Sequence, residues 1–291
     1  MTAIAQRHGL GSEPAHRYDS GSLPVFALGT QHVLKLYPPQ DRAHAQVEAR
    51  VLALIDSRLP LPTPQVVATG EWEDGSYLLM TQLPGRRLVD VWPQLAPAER
   101  DRLCQRLGEA VAALHALDSR PLADLPPPHW AQFVPAQRRQ AVTRQRERGL
   151  TEPWLEQIAP FLERWAGPGD AEPVLLHTEI MREHLLVEPD ATGWRLSGLF
   201  DFEPAMRGAR EYEFASIGLF VSAGDPRALR SILRAYGCAE AALDNALQNR
   251  LMAMALLHRY SNLPWYLQRL PLPDAQRLEQ LAAHWWNLNL D

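Results

Sequence analysis

The sequence predicts an α+β chain of two lobes: a small β-rich lobe over residues 1–82 and a larger, mostly helical lobe over residues 83–291. Three observations predict it. Between residues 18 and 82, short alternating apolar runs are separated by Gly29-Thr30, Pro38-Pro39 and Glu73-Asp74-Gly75, the punctuation of hairpins. Beyond residue 87, apolar residues recur at the helical period in stretch after stretch. One segment breaks that pattern: residues 174–203, VLLHTEIMREHLLVEPDATGWRLSGLFDFE. There two apolar runs bracket a polar loop, and an alternating run ends on Asp201 and Glu203.

Composition narrows the function. With 46% apolar and 22% charged residues, the 291-residue chain can bury a core and is not disordered. A net charge of −5 without a Lys/Arg stripe argues against a general nucleic-acid binder. No apolar run reaches the roughly 18 residues of a membrane span, and residues 1–17 lack the apolar core of a secretory signal. Cys104 and Cys238 lie far apart in helix-like contexts and read as reduced core residues, so the expected setting is the cytoplasm. Arginine supplies nearly all the positive charge; Lys35 is the only lysine.

In chain order, residues 1–17 are polar with room for one short helix. Residues 23–28 and 31–37 form a strand pair, and Lys35 points away from its apolar neighbours Leu34 and Leu36. A helix follows over residues 41–59, its apolar face made by Ala45, Val47, Val51, Leu52, Leu54 and Ile55, with Glu48 at its middle. After a proline-rich link over residues 61–67, residues 68–72 and 76–82 form a second hairpin, and Leu83-Pro84-Gly85 ends the small lobe. Further helices are expected over residues 87–92, 96–117, 130–148, 152–165, 211–223, 226–236, 239–260 and 274–286.

Several side chains in this framework suit phosphate chemistry. Lys35 on a strand and Glu48 on the next helix can pair so that the ammonium meets nucleotide phosphates; each alone also fits a solvated surface. Ser20, Gly21 and Ser22 offer backbone N–H groups to phosphate, or simply turn the chain. Thr81, Gln82 and Leu83 form a hinge whose backbone groups meet an adenine edge, or an ordinary strand end. In the 177–184 loop, Glu179 is a carboxylate able to orient or take the proton of an attacking hydroxyl, and Arg182 can neutralise phosphate charge. The plain alternative is a polar surface loop. Asp201 and Glu203 supply the oxygen donors that a hard cation such as Mg²⁺ takes. Glu211 and Glu213 suit a helix first turn by charge alone, and Glu213 is also placed to brace the 177–184 loop. His258, Trp265 and Tyr266 read first as core, with the lining of an acceptor pocket as the alternative.

The order of these features resembles one family. His177-x-Glu179, then His184, then Asp201-Phe202 keep the frame H-x-D-x-x-x-x-N…D-F of kinase catalytic machinery. With VEARVLALI in the first long helix, YLLMTQLPGRRL at the hinge, LSGLFDFEPA and GAREYEFASIG, residues 18–260 are similar to the aminoglycoside phosphotransferase family, relatives of the choline kinases. The resemblance implies the two-lobed protein-kinase-like fold. It also implies Lys35 on the phosphates of ATP or GTP, Glu48 as its partner, Glu179 at the catalytic-base position, His184 at a metal-ligand position and Asp201 on Mg²⁺, with Glu203 as a further oxygen donor. Three letters differ: Glu179 stands where the family has aspartate, His184 where it has asparagine, and Thr178 where it has glycine. Glutamate is one methylene longer, and imidazole suits softer divalent metals than Mg²⁺.

The leading expectation is an ATP-dependent small-molecule kinase that phosphorylates a hydroxyl, its partners a nucleotide and a small-molecule acceptor, with neither nucleic acid nor membrane. The changed loop letters motivate a second reading, a kinase fold that binds nucleotide or metabolite without phosphoryl transfer. A helical structural protein with a β cap is the third.

Overall fold

Alternation along the first hairpins builds one sheet, and chain order then alternates between two compact units. The computed structural model describes residues 1–19, 21–127, 129–166, 172–191 and 193–288. One unit comprises Met1–Val91 with Glu183–Ala205, the other Trp92–Arg182 with Met206–Asp291. The first stretch runs α1 (Thr2–Arg7), β1 (Ala15–Arg17), β2 (Val25–Leu28), β3 (His32–Tyr37), α2 (Arg42–Ile55), β4 (Val66–Trp72), β5 (Gly75–Thr81), β6 (Arg86–Arg87) and α3 (Leu88–Val91). The second unit opens with α4 (Pro97–Ala116), α5 (Trp130–Glu147), α6 (Glu152–Trp165) and β7 (Val174–Leu176). The chain returns to the first unit for β8 (Leu185–Asp190) and β9 (Gly193–Leu199). It ends in the second with β10 (Met206–Gly208), α7 (Arg210–Ile217), α8 (Pro226–Tyr236), α9 (Asn245–Leu257), α10 (Leu263–Arg269) and α11 (Leu278–Trp286).

In the first unit the strands pair antiparallel in the order β1-β2-β3-β5-β4. One face carries Leu34, Leu36, Tyr77 and Leu79, which pack with Ile4 and Ala5 of α1. Lys35 points to the opposite face, as its position between two leucines requires. That face is buried too: Lys35 is 5% exposed and Tyr37 fully covered. Burial of both faces, rather than one solvated face, is what turns a strand lysine into a core ion. On α2 the buried stripe is Ala45, Val47, Glu48, Val51, Leu52 and Ile55, so Glu48 lies within the apolar face and not beside it. A smaller antiparallel sheet, β6-β8-β9, completes the unit.

The second unit is helical around α9, which is buried from Leu247 to Leu257 except at half-buried Arg250, and β7 pairs antiparallel with β10 at one side. The expected helix over residues 239–260 is shorter: Asp244 accepts the Leu247 N–H and starts α9 there, after a single 3₁₀ turn at Glu240–Ala242. The helix expected at residue 274 begins at Leu278, where Gln280 takes the N–H groups of Gln276 and Arg277. Helix α10 was not expected. Asn262 caps it through the Trp265 N–H, and a proline follows in its first turn, a start signal present in the sequence. Helix α7 continues through a π-helical turn, Gly218–Ser222, to Ala223 at φ +51°. A Cβ on Gly218 would collide with Trp286 Nε1, so the close seat of α11 needs glycine there. Both cysteines are free, Cys104 buried and Cys238 half-buried. Among the described residues, no helix is long and apolar enough to cross a membrane.

Candidate functional site

In the first unit the sequence-predicted residues Lys35, Glu48, Asp201, Glu203 and His184 come together. Lys35 Nζ lies 2.9 Å from Glu48 Oε2, 2.5 Å from Asp201 Oδ1 and 3.0 Å from Glu203 Oε2. Burial works against the ammonium, but these carboxylates outweigh it and raise the lysine pKa well above its ordinary value. Glu48, 1% exposed, also accepts from the Tyr37 hydroxyl and, at 3.1 Å, from the Phe202 N–H. Burial pushes its pKa up while Lys35 pulls it down. One strand, one helix and the Asp201–Glu203 turn thus converge on one ammonium. A buried ion costs several kcal/mol unless paired in this way.

Asp201 follows β9 with φ +72°, a left-handed conformation that aspartate tolerates better than most residues. The turn is held by Phe202, fully buried, and by the Phe200 N–H on the His184 carbonyl at 3.2 Å. His184 Nε2 stands 3.3 Å from Asp201 Oδ2, so the imidazole and Lys35 address opposite oxygens of one carboxylate. Glu48, Asp201 and Glu203 present oxygens within 4.8 Å of one another, a grouping able to hold a cation. Carboxyl groups here outnumber the ammonium three to one, an excess of acidic oxygens that a cation can meet. Glu48 is the most deeply buried of the three, whereas Asp201 and Glu203 are partly open to solvent and offer oxygens of the kind a hard divalent cation takes, with His184 Nε2 beside Asp201.

The other predicted nucleotide contacts lie apart from this cluster. Ser20 lies outside the described residues. Gly21 (φ +116°) and Ser22 are exposed, and no hydrogen bond joins either to the cluster among the described residues. Thr81 Oγ1 accepts the Gln65 N–H at 2.9 Å, and the Gln82 N–H reaches the Gln31 carbonyl at 2.7 Å. Leu83 covers Gly198, where a Cβ would come within 2.7 Å of its Cδ1.

In the second unit the loop carrying Glu179 is clamped from two sides. Glu213 of α7, fully buried, takes the His177 N–H at 2.6 Å and the Thr178 N–H at 2.9 Å. His258 Nε2 faces the Thr178 carbonyl at 3.2 Å, while its Nδ1 receives the Tyr260 N–H at 3.3 Å. That arrangement puts the ring proton on Nε2. Burial, with Arg259 and Arg144 close by, lowers the His258 pKa to about 3, so the ring is neutral. Thr178 is thereby held at φ +74°, costly for a β-branched residue. The Glu179 N–H meets His177 Nδ1 at 3.3 Å.

Glu179 lines a cavity of about 230 Å³ together with His258, Trp265 and Tyr266. His258 and Tyr266 are buried, as the core reading expects, and also line this cavity, while Trp265 is exposed at its lip. Phe220 and Arg148 complete the picture and were not singled out in the sequence. Arg182, the other predicted catalytic residue, donates from Nε to the Val221 carbonyl at 2.8 Å and lays its guanidinium 4.0 Å from the Trp92 ring centroid.

Comparison with known proteins places the chain. Structures of similar fold include the GDP complex of wild-type aminoglycoside 2′-phosphotransferase-IIIa (17% identity, TM-score 0.72, 97% of this chain and 96% of that one). They also include the streptomycin–ATP ternary complex of APH(2″)-IIa (18%, TM-score 0.66, 89% and 90%). A third is the apoenzyme of macrolide 2′-phosphotransferase MphH from Brachybacterium faecium (22%, TM-score 0.62, 100% and 98%). These likenesses show the protein-kinase-like fold. Comparison with curated protein sequences gave no match. The family model of the phosphotransferase enzymes (APH) matches residues 15–248, well over half the chain, from β1 into α9. The strand lysine, its helix glutamate and the clamped acidic loop thus all lie in the matched region, and the chain belongs to the phosphotransferase enzyme family.

Proposed function

We propose that the chain transfers the γ-phosphoryl group of ATP or GTP to a hydroxyl of a small-molecule acceptor. The observation that carries this reading is the single lysine of the chain, buried and gathered by Glu48, Asp201 and Glu203. GDP and ATP complexes among similar structures support a nucleotide donor. In this reading residues 1–82 form the nucleotide-binding lobe and residues 83–291 the catalytic and acceptor-binding lobe. Lys35 meets phosphate oxygens, and Glu48 keeps its ammonium aimed. Backbone groups of Thr81, Gln82 and Leu83 serve the base, and those of Ser20, Gly21 and Ser22 the phosphates. Asp201 and Glu203, with His184, hold Mg²⁺, which when bound neutralises phosphate charge. Glu179 takes the proton of the acceptor hydroxyl as its oxygen bonds to phosphorus and the bond to the leaving nucleoside diphosphate breaks. Arg182 adds positive charge. Two free cysteines suit a cytoplasmic setting.

The test is ATP consumption against a panel of amino alcohols, sugars and aminoglycosides, with Glu179→Ala and Asp201→Ala as controls. Both variants are expected to lose turnover; unchanged turnover in both defeats the assignment. A second reading, nucleotide binding without transfer, is motivated by His184, whose imidazole stands 3.3 Å from Asp201 where the family has asparagine. It predicts thermal stabilisation by ATP without turnover, and activity only after Glu179→Asp and His184→Asn are combined.

A further inference from the structure

The cavity beside Glu179 has a chemistry of its own. One wall is aromatic: the Phe220 ring centroid lies 5.7 Å from that of Trp265 and 6.0 Å from that of Tyr266. Trp265 keeps 41% of its surface exposed. A large ring partly open at the lip of a cavity offers a flat contact surface, here shared with the Arg269 guanidinium, which lies 5.4 Å from the Trp265 centroid and 5.7 Å from that of Phe220. The Asn262 cap on the Trp265 N–H fixes where this wall stands.

Charge around the cavity runs against a polycation. Among its described lining residues, Glu179 is the one carboxylate and Arg148 the one guanidinium, while His258 is neutral. Just behind the lining, Arg144 acts on both His258 and Tyr266, and Arg259 acts on His258. With Glu213 behind Thr178 counted beside Glu179, and Arg269 over Phe220 and Trp265 counted beside Arg144, Arg148 and Arg259, guanidinium groups still outnumber carboxylates. Arg148 is also pre-positioned, since its Nη1 donates to the Tyr260 carbonyl at 3.1 Å and leaves a planar fork of further donors. The volume of about 230 Å³ lies below the range of drug-sized ligand sites. It suits a molecule of single-ring size.

We propose that this cavity takes a compact, singly anionic alcohol with a flat apolar face: the face lies on Phe220, Trp265 and Tyr266, the acid pairs with Arg148, and the hydroxyl meets Glu179. The hydroxyl's role as phosphoryl acceptor rests on the phosphotransferase reading; the binding preference does not.

The experiment measures binding to the full chain, without nucleotide, by calorimetry and saturation-transfer NMR. The probes are three benzylic alcohols, 4-(hydroxymethyl)benzoate, benzyl alcohol and 4-(aminomethyl)benzyl alcohol, with kanamycin as the polycation. The benzoate is expected to bind about tenfold or more tightly than the ammonium analogue, as a charge-assisted pair implies. Trp265→Ala is expected to weaken all three aromatic probes, and Arg148→Glu to reverse the charge order. Both residues are exposed, and thermal melts check that the variants fold. The proposal is overturned if kanamycin or the ammonium probe binds best. It is also overturned if the benzoate fails to bind at millimolar concentration, or if neither substitution alters binding. Retained binding with no phosphoryl transfer to any acceptor counts against the phosphotransferase reading alone. Transfer to an acceptor that ignores Trp265 and Arg148 counts against this proposal alone.

Discussion

Two buried glutamates, one in each unit, reach from a helix to a loop that carries candidate chemistry, and they meet different things there. Glu48 on α2 meets a full cation, Lys35, together with the Tyr37 hydroxyl and the Phe202 N–H. Glu213 on α7 takes backbone dipoles, the N–H groups of His177 and Thr178, with a ring nitrogen of His115 farther off at 3.7 Å. Both side chains are hidden from water. A carboxylate set against an ammonium fixes where charge sits. A carboxylate set against two successive N–H groups fixes the shape of the backbone, here a threonine at positive φ. In the proposed phosphotransferase the first arrangement suits a site that meets phosphates, and the second a loop that holds one side chain, Glu179, at a cavity wall.

The comparison breaks most easily at Lys35. Lys35→Met removes the charge that Glu48 holds, and phosphoryl transfer is expected to fall by about 10²–10³-fold in steady-state assays. A fall confined to KM would mean that the ammonium only helps the nucleotide bind. Glu213→Gln leaves one acceptor oxygen for two buried N–H groups. It is expected to cost about 1–3 kcal/mol in urea unfolding. An unchanged midpoint would show that the loop keeps its shape without the clamp. His258 sharpens the same point through pH. Its folded value of about 3 lies below the unfolded value near 6.5. The unfolded chain therefore binds the proton first. This contribution is complete above about pH 6.5 and is lost toward pH 3, by up to about 1.4 kcal/mol per pH unit. His258→Asn is expected to flatten that slope in unfolding curves measured across the window; a persistent slope would assign the acid sensitivity elsewhere. The smallest effect is at Thr178. Thr178→Gly relieves the left-handed backbone but loosens the unfolded chain and empties a buried site, so stability is expected to change by no more than about 1 kcal/mol. A larger loss would mean that the side chain, not the clamp, holds the loop.

Much of the first unit was legible because its chemistry follows local rules. Lys35 between Leu34 and Leu36 had to face away from them, and Glu48 sits three residues before Val51 on the same helical stripe. Helix α6 starts and ends where its pattern does, at Glu152 and Trp165. Bracing of the 177–184 loop by Glu213 was also readable from its place at a helix start near the acidic segment. Beyond reach were pairings set by tertiary packing. His258 meets the Thr178 carbonyl from 80 residues away, and nothing at either position announces the other. That both sides of β3 are buried was equally invisible, since alternation fixes which way a side chain points and not what covers it. The aromatic wall is half legible: Trp265 and Tyr266 stand out as aromatics, while what makes them part of a helix is the cap and proline at Asn262–Pro264.

A chain with one lysine gives an acylating reagent a single side-chain amine to find. Shut among Glu48, Asp201 and Glu203, that amine is both hidden and protonated, so each modification event records one spontaneous opening of its enclosure. Mass measurement of the lysine-bearing peptide, kept apart from the N-terminal α-amine, then counts those openings. Slowing of that clock by added ATP or GTP would report occupancy directly, in a molecule that carries its own footprinting label.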